Sequence, residues 1–181
     1  MHSMKQPAQV TRLHEGPVFA VERMVFDHTD PPVIKDVVRH PGAITVIGVL
    51  DDGRLVLIRN HRVAVGQTLL EFCAGKLEPG EAPATSAMRE LEEETGHSAA
   101  SVTPLGRFYT SPGFADELMH VFIAEGLSPV GQRLEPGEQI EVVVMEIDAI
   151  KEAIRTGKMV DGKSIASFHL LLQELDRRAG S

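Results

Sequence analysis

The chain has 181 residues with a formal net charge of -8, and its 43% hydrophobic and 24% charged content is ordinary for a globular domain. The acidic balance argues against a general nucleic-acid surface, and no stretch approaches the ~20 apolar residues of a membrane-spanning helix. Cys73 is the only cysteine, which excludes an intrachain disulfide and a cysteine zinc cluster. Since the N-terminus lacks an apolar signal region, we expect a cytoplasmic protein without nucleic-acid or membrane partners.

Most of the predicted elements are short strands. Two runs rich in β-forming residues flank the turn-prone segment 27–32 and predict an N-terminal hairpin or meander. The sequence Asp-Asp-Gly at 51–53 predicts a hairpin turn between the next two strands. In chain order the predicted strands are Phe19–Phe26, Val33–Arg39, Ala43–Leu50, Arg54–Arg59, Leu69–Phe72, Gly106–Tyr109, Leu118–Ala124 and Glu141–Ile147.

Three helices accompany these strands. The first is predicted between Pro83, which suits a first helical turn, and Gly96, which suits a C-terminal cap. The second is expected to be capped by Asp148 and to reach Arg155, and the third covers 163–178 with its apolar residues on one face. The whole pattern predicts an α/β fold with a mixed sheet covered by helices.

The first helix has two different faces. At 100° per residue, Glu90, Glu93 and Glu94 fall within about 100° of its surface, and Arg89 lies four residues before Glu93, where it is expected to pair with it. The other side carries a narrow apolar stripe that is expected to dock on a sheet, formed by Ala84, Met88, Leu91 and Thr95.

Three carboxylates on one helix face repel each other unless a cation lies between them. Hard divalent ions such as Mg²⁺ are bound by carboxylates together with waters and substrate phosphates. The Glu-Glu-Glu run alone is more typical of a solvated acidic surface, but the spacing over the full segment 75–96 favours a metal site and a phosphate-bearing ligand.

The segment 75–97 resembles the signature of the Nudix hydrolases, in which glycine, glutamate, arginine and aliphatic positions recur at fixed spacing. The matching residues are Gly75, Glu81, Arg89, Glu90, Leu91, Glu93, Glu94 and Gly96. His97 departs from the final aliphatic position, which in the family packs rather than reacts. The resemblance implies divalent cations, held by these glutamates, that help water cleave a diphosphate bond between a nucleoside phosphate and another group.

Segments outside the signature resemble the ADP-ribose pyrophosphatase branch of that family. They are 39–43, 60–62, 70–81 and 111–117, and Pro112 follows Gly96 at the sixteen-residue spacing associated with the branch. The chain departs from the branch at 60–61, where Asn-His replaces glutamine and an aromatic residue, and at Cys73, where proline is common.

The resemblance also implies roles for individual residues. The metal ligands are expected to be the backbone carbonyl of Ala74 with Glu90, Glu93 and Glu94. Arg62 is expected to contact the substrate diphosphate, and the turn of Pro112, Gly113 and Phe114 is expected to shape the substrate pocket.

Catalysis is assigned to Glu138, Glu93 and Arg89. In the branch, a glutamate from a loop before a late strand often activates the water; Glu138 is the choice here, with Glu135 and Glu141 as rivals and Glu93 as the alternative base.

The resemblance thus implies a Nudix-type mixed β-sheet sandwiched between α-helices, with an N-terminal antiparallel β-extension. Residues 1–181 would form one Nudix hydrolase domain, with 1–42 as an extension involved in homodimer formation and 43–181 as the catalytic core. The expected reaction is Mg²⁺-dependent hydrolysis of ADP-ribose to AMP and ribose 5-phosphate, with Mn²⁺ or another divalent cation as a substitute. The alternatives are a pyrophosphatase for another nucleoside diphosphate sugar, such as GDP-mannose, and a noncatalytic ADP-ribose sensor.

Overall fold

The computed structural model describes residues 6–134 and 137–180. These residues fall into two compact units, one made of the chain up to Gly42 with Tyr109–Leu118, the other of Ala43–Phe108 with the residues from Met119 onward. Within the described ranges, no helix is both long enough and apolar enough to cross a membrane.

The smaller unit contains a three-stranded antiparallel sheet. Its strands are β1 (Gln9–Glu15), β2 (Ala20–Phe26) and β3 (Val33–Arg39), in the order β1-β2-β3. The register of β2 and β3 is regular from the pair Ala20 and Arg39 to the pair Phe26 and Val33. The predicted N-terminal antiparallel extension is confirmed, although β1 was not predicted because its sequence has no apolar run.

The larger unit contains a seven-stranded mixed sheet. Its strands are β4 (Ala43–Val49), β5 (Leu55–Arg62), β6 (Gln67–Glu71), β7 (Cys73–Lys76), β8 (His97–Tyr109), β9 (Leu118–Pro129) and β10 (Ile140–Met145). The main order is β10-β5-β4-β9-β8, while β6 pairs with β5 and β7 pairs with β4. The pairing of β4 with β9 is parallel, whereas β4 pairs antiparallel with β5 and β7.

Helices cover both faces of this sheet. They are α1 (Pro83–Thr95), α2 (Ile147–Arg155) and α3 (Gly162–Ala179). Because neighbouring side chains of a strand point to opposite faces, Val46 packs with Leu91 of α1, while the adjacent Ile47 lies in a second core with Ile150 of α2 and Phe168 of α3. Burying each such side chain contributes about 1.5–3 kcal/mol. The predicted sandwich of a mixed sheet between helices is therefore confirmed.

The predicted cap of the second helix is wrong, and the third helix has a cap that was not predicted. Asp148 does not cap α2, because the helix begins one residue earlier and has Glu146 at its N-cap position, without a side-chain hydrogen bond. The cap that does use its side chain is Asp161, which accepts a hydrogen bond from the Ser164 amide at the start of α3.

Candidate active site

Helix α1 is oriented by its two ends and its apolar face. Pro83 occupies the first turn, and Gly96 ends the helix in the left-handed conformation with φ of 69°. The predicted apolar stripe is wrong at one position: Met88 is 43% exposed, and Ala87 is buried with Leu91 instead. Ala87 lies one turn before Leu91, and both side chains pack in the core between α1 and the sheet.

Arg89 is the centre of a cluster of carboxylates on α1 and on the loop before it. Its guanidinium forms a bidentate pair with Glu81, at 3.1 Å and 3.0 Å. Its Nη1 donates to Glu90 at 2.7 Å and to Glu93 at 3.0 Å, so the predicted pairing of Arg89 with Glu93 is confirmed. These contacts raise the pKa of Arg89, chiefly through Glu81. One cation therefore fixes three acidic side chains of the signature.

Glu90 lies against the backbone of β7. A Cβ atom built on Gly75 would come within 2.0 Å of both Cδ and Oε1 of Glu90, so only glycine leaves room for this side chain. Burial is the main cause of a raised pKa for Glu90, while the bond from Arg89 lowers it. The first glycine of the signature thus acts as a cradle for one of its glutamates.

Glu94 lies one turn further along α1 and contacts the same strand, β7. Its residue is 4% exposed, and its Oε2 accepts a hydrogen bond from the Ala74 amide at 3.0 Å. Burial raises the pKa of Glu94 to about 7, against the lowering effects of hydrogen bonds from Cys73 and Ala74. Cys73 is itself fully buried, and its thiol pKa is raised by burial, as expected for a packing residue rather than a nucleophile.

The glutamates of α1 have the chemical groups that bind divalent cations. Glu90, Glu93 and Glu94 offer only carboxylate oxygens, which hard cations prefer, and Gly75 keeps the backbone of β7 close to the first of them. Among residues 6–134 and 137–180, no group of three or more His, Cys, Asp or Glu side chains converges closely enough to hold a metal ion. Two of the three glutamates instead bind Arg89, whose single positive charge offsets part of their negative charge.

Arg62 is placed at the end of β5 and held by a carboxylate that sequence reasoning did not identify. Its Nε donates to Oε1 of Glu71 at 2.9 Å and its Nη2 donates to Oε2 at 2.6 Å. The pKa of Arg62 is raised, first by this hydrogen bonding and then by the negative charges of Glu71, Glu94 and Asp161. Glu71 is completely buried within an apolar run, and this unusual setting was the available signal in the sequence.

The loop before β10 is attached to the carboxyl end of α1. The amides of Val130 and Gly131 donate to the Gly96 carbonyl, and Gln132 Nε2 donates to the Glu94 carbonyl at 2.6 Å. These bonds satisfy carbonyl groups that the end of a helix leaves without partners. The loop that leads to Glu138 is therefore held by hydrogen bonds to the end of the helix that carries the acidic cluster.

The three candidate bases in this loop differ in their surroundings. Glu138 is close enough to Glu90 for its charge to contribute to the raised pKa of Glu90. Glu141 lies on β10 with its side chain 72% exposed and 3.7 Å from Arg59. Glu135 lies outside the described residues.

The sequence profile described as the NUDIX domain matches residues 39–168. The chain belongs to the Nudix family. A Bacillus subtilis (strain 168) protein named ADP-ribose pyrophosphatase is 43% identical over 140 residues, which cover 76% of this chain and 75% of that protein. The prediction of a Nudix hydrolase is thereby confirmed.

Other similar proteins carry different names. A Bacillus methanolicus protein named methanol dehydrogenase activator is 38% identical over 77% of each chain. An Escherichia coli O1:K1 protein named GDP-mannose pyrophosphatase is 34% identical over 87% of this chain and 81% of its own. A solved structure described as an ADP compounds hydrolase has a TM-score of 0.82 over 98% of both chains at 22% identity, which shows the same fold.

The departure from the Nudix signature at His97 is accommodated at the end of α1. Its Nδ1 lies 2.9 Å from the carbonyl oxygen of Thr95, and the residue begins β8. His97 thus lies next to the C-terminal end of α1. Glu90 and Glu93, which Arg89 binds, lie closer to the N-terminus of the helix.

The predicted substrate turn belongs to the smaller unit. Pro112, Gly113 and Phe114 form a turn between β8 and β9, and Phe114 is 59% exposed. The turn is joined to β3 by a hydrogen bond from the Val38 amide to the Phe114 carbonyl at 2.7 Å. This attachment gives the turn a fixed backbone and leaves the aromatic ring accessible.

Proposed function

We propose that this Nudix hydrolase cleaves the diphosphate bond of ADP-ribose and releases AMP and ribose 5-phosphate. The observation that carries the proposal is the Arg89 cluster of partly buried signature glutamates, in a chain that is 43% identical to a protein named ADP-ribose pyrophosphatase. The physical requirement is the same for any diphosphate. Its own negative charge repels an attacking water, so the site must supply positive charge and a base.

The cation is proposed to be Mg²⁺, with Mn²⁺ or another divalent ion able to replace it. Glu90, Glu93, Glu94 and the carbonyl of Ala74 are the proposed ligands. The support is that Glu90 lies against Gly75 of β7 and that the buried Glu94 accepts a hydrogen bond from the Ala74 amide. When bound, such an ion neutralises phosphate oxygens and makes a bound water more acidic.

The protein groups have separate tasks in this proposal. Arg62 binds the diphosphate through its guanidinium, which Glu71 holds in one orientation. Glu138 accepts the proton of the attacking water, with Glu93 as the alternative base. Arg89 acts as a positioning residue, because its contacts fix the side chains of Glu90 and Glu93.

The turn of Pro112, Gly113 and Phe114 is proposed to contact the nucleoside or sugar part of the substrate. Its support is the exposure of the Phe114 ring on a turn with a fixed backbone. The alternative substrate class is another nucleoside diphosphate sugar, because a relative that matches 87% of this chain is named GDP-mannose pyrophosphatase. Cleavage of the diphosphate is common to both substrates, and only the leaving group differs.

The homodimer and the cytoplasmic location also belong to the proposal. The extension up to Gly42 is proposed as the dimerisation element of a single Nudix domain whose catalytic core is 43–181. The support is a set of exposed apolar side chains on and beside β1–β3: Val10, Leu13, Val18, Phe19, Val33 and Ile34.

The experiment that tests the proposed site is Glu90→Gln, with Glu92→Gln as the matched control. Both changes remove one charge from the same helix, but Glu92 pairs with Arg133 away from Arg89. We expect Glu90→Gln to lower kcat for ADP-ribose by about 10²–10³-fold, the usual effect of removing one transition-state contact. Glu92→Gln should retain kcat within about threefold of the unchanged protein. Unchanged turnover in Glu90→Gln would show that the proposed metal site is wrong.

A further inference from the structure

Glu71 is a completely buried carboxylate that binds two cations. Its Oε1 accepts from Nε of Arg62, and its Oε2 accepts from Nη2 of Arg62 at 2.6 Å and from Nζ of Lys163. The lysine comes 92 positions after the glutamate in the sequence and lies in the first turn of α3. One oxygen of Glu71 is therefore shared between an arginine of β5 and a lysine of α3.

This arrangement is energetically demanding. Removing a carboxylate from water costs several kcal/mol, which only close partners with good hydrogen-bond geometry can offset. Replacement of such a group by an apolar side chain is often neutral or stabilising, so a buried charge cluster is weak evidence for a purely structural role. The exposed part of the cluster is the arginine, which retains 38% of its side-chain surface, against 12% for the lysine and none for the glutamate.

The start of α3 is itself fixed to the same stretch of chain. Asp161 caps the helix through the Ser164 amide and also accepts a hydrogen bond from Lys163 at 2.8 Å. The hydroxyl of Ser164 accepts from the Phe72 amide at 2.8 Å. The first turn of α3 thus forms hydrogen bonds with two successive residues, Glu71 and Phe72, at the junction between β6 and β7.

This junction lies next to the proposed substrate and metal residues. Glu71 ends β6 and contacts Arg62, and two residues after Phe72 the amide of Ala74 binds Glu94. A shift of the junction would move both the guanidinium and the β7 backbone. A displacement of about 1 Å at a site that positions substrate can cost about 100-fold in rate.

We propose that Lys163 is a positioning residue for substrate binding, which acts through Glu71 to hold the Arg62 guanidinium in the orientation that receives the diphosphate. The inference rests on the proposed function of Arg62. The lysine does not touch the substrate. Its ammonium fixes Oε2 of Glu71, the same oxygen that fixes Nη2 of Arg62, so its loss leaves the carboxylate free to turn and the guanidinium with it.

The test compares Lys163→Met, which keeps most of the length of the side chain and removes its charge, with Lys163→Arg and with Lys151→Met. Lys151 is an exposed lysine of α2 that pairs with Asp148, so its replacement makes the same charge change elsewhere. We expect Lys163→Met to raise KM for ADP-ribose about tenfold with kcat within about threefold, Lys163→Arg to restore KM to within about threefold, and Lys151→Met to leave both unchanged. A lower melting temperature for Lys163→Met with unchanged KM would reduce the lysine to a stabilising contact and overturn the inference.

Two further measurements separate this inference from the proposed function. In the double variant with Arg62→Ala, the effect of Lys163→Met on KM should vanish, because the lysine acts through the arginine; additive effects would overturn the inference alone. If Arg62→Ala itself leaves KM unchanged, the role of Arg62 is wrong and the inference is overturned with it. The Nε–Hε signal of Arg62 in NMR spectra of the substrate-free protein, assigned by its loss in Arg62→Ala, should shift or broaden in Lys163→Met. An unchanged signal would overturn the inference whatever the substrate is.

Discussion

Gly75→Ala is expected to abolish most activity while leaving the fold intact. The new Cβ would lie 2.0 Å from Cδ and Oε1 and 2.5 Å from Cγ of Glu90, far inside the ordinary carbon contact of roughly 3.5–4.0 Å. The backbone of β7 is paired with β4 from Ala43 to Val46, so it cannot retreat easily. Glu90 must therefore move by about 1.5 Å, which requires its whole side chain to take another rotamer.

The magnitudes for this variant follow from two opposite effects on stability and one effect on rate. Alanine in place of glycine within a strand stabilises the fold by about 0.5–1 kcal/mol. The weakened pair between Glu90 and Arg89 destabilises it by a similar amount, roughly 0.2–1 kcal/mol. The free energy of unfolding should change little. A carboxylate moved by more than about 1 Å from its proposed metal position should lower kcat about 100-fold.

The assay measures kcat for ADP-ribose at saturating Mg²⁺ together with the thermal midpoint by circular dichroism. Gly180→Ala is the control, because its Cβ would meet only an ordinary contact of 3.6 Å at the end of α3 and its φ of -93° is unstrained. A Gly75→Ala protein with normal kcat would refute the role of the glycine as a cradle for Glu90. A protein that fails to fold would refute the claim that the side chain, rather than the backbone, gives way.

Two further predictions concern the charges around α1. Arg89→Ala leaves three acidic side chains without their shared cation and should lower the free energy of unfolding by about 2 kcal/mol in the absence of metal. Urea unfolding with added Mg²⁺ should show a smaller loss, since a bound divalent ion replaces the missing charge; equal losses under both conditions would contradict the metal site. Glu138→Gln should lower kcat by about 10²–10³-fold and Glu141→Gln by less than about threefold. If steady-state assays showed a larger loss of kcat for Glu141→Gln than for Glu138→Gln, the base would be Glu141 on β10.

Elements with strong local signals were predicted closely. The helix from Pro83 to Gly96 is observed as Pro83–Thr95 with Gly96 as its cap, because proline, glycine and the helix-forming residues between them act within a few residues. Strand β8 was predicted only from 106 to 109 but begins at His97. The part that was not predicted, residues 97–105, has small residues and Pro104, so pairing within the sheet, rather than intrinsic preference, makes it a strand.

The candidate site also has features that the sequence could predict and features that it could not. The acidic face of α1 and the pair of Arg89 with Glu93 follow from helical spacing and could be predicted. Glu71 and Lys163 could not, because their contact joins positions 92 residues apart and depends on how α3 docks. The cradle at Gly75 is a similar case, since the sequence contains the glycine but only the packing of α1 on β7 shows which side chain needs the space.

The proposed reaction is tested most directly by chromatographic measurement of AMP after the purified protein is incubated with ADP-ribose and Mg²⁺. GDP-mannose and a chelator control are run in parallel. We predict AMP and ribose 5-phosphate from ADP-ribose in preference to cleavage of GDP-mannose, and no product when the chelator removes the metal. Preferred cleavage of GDP-mannose would contradict the proposed substrate, and binding of ADP-ribose without cleavage, or equal turnover with chelator, would contradict the proposed metal-dependent hydrolysis.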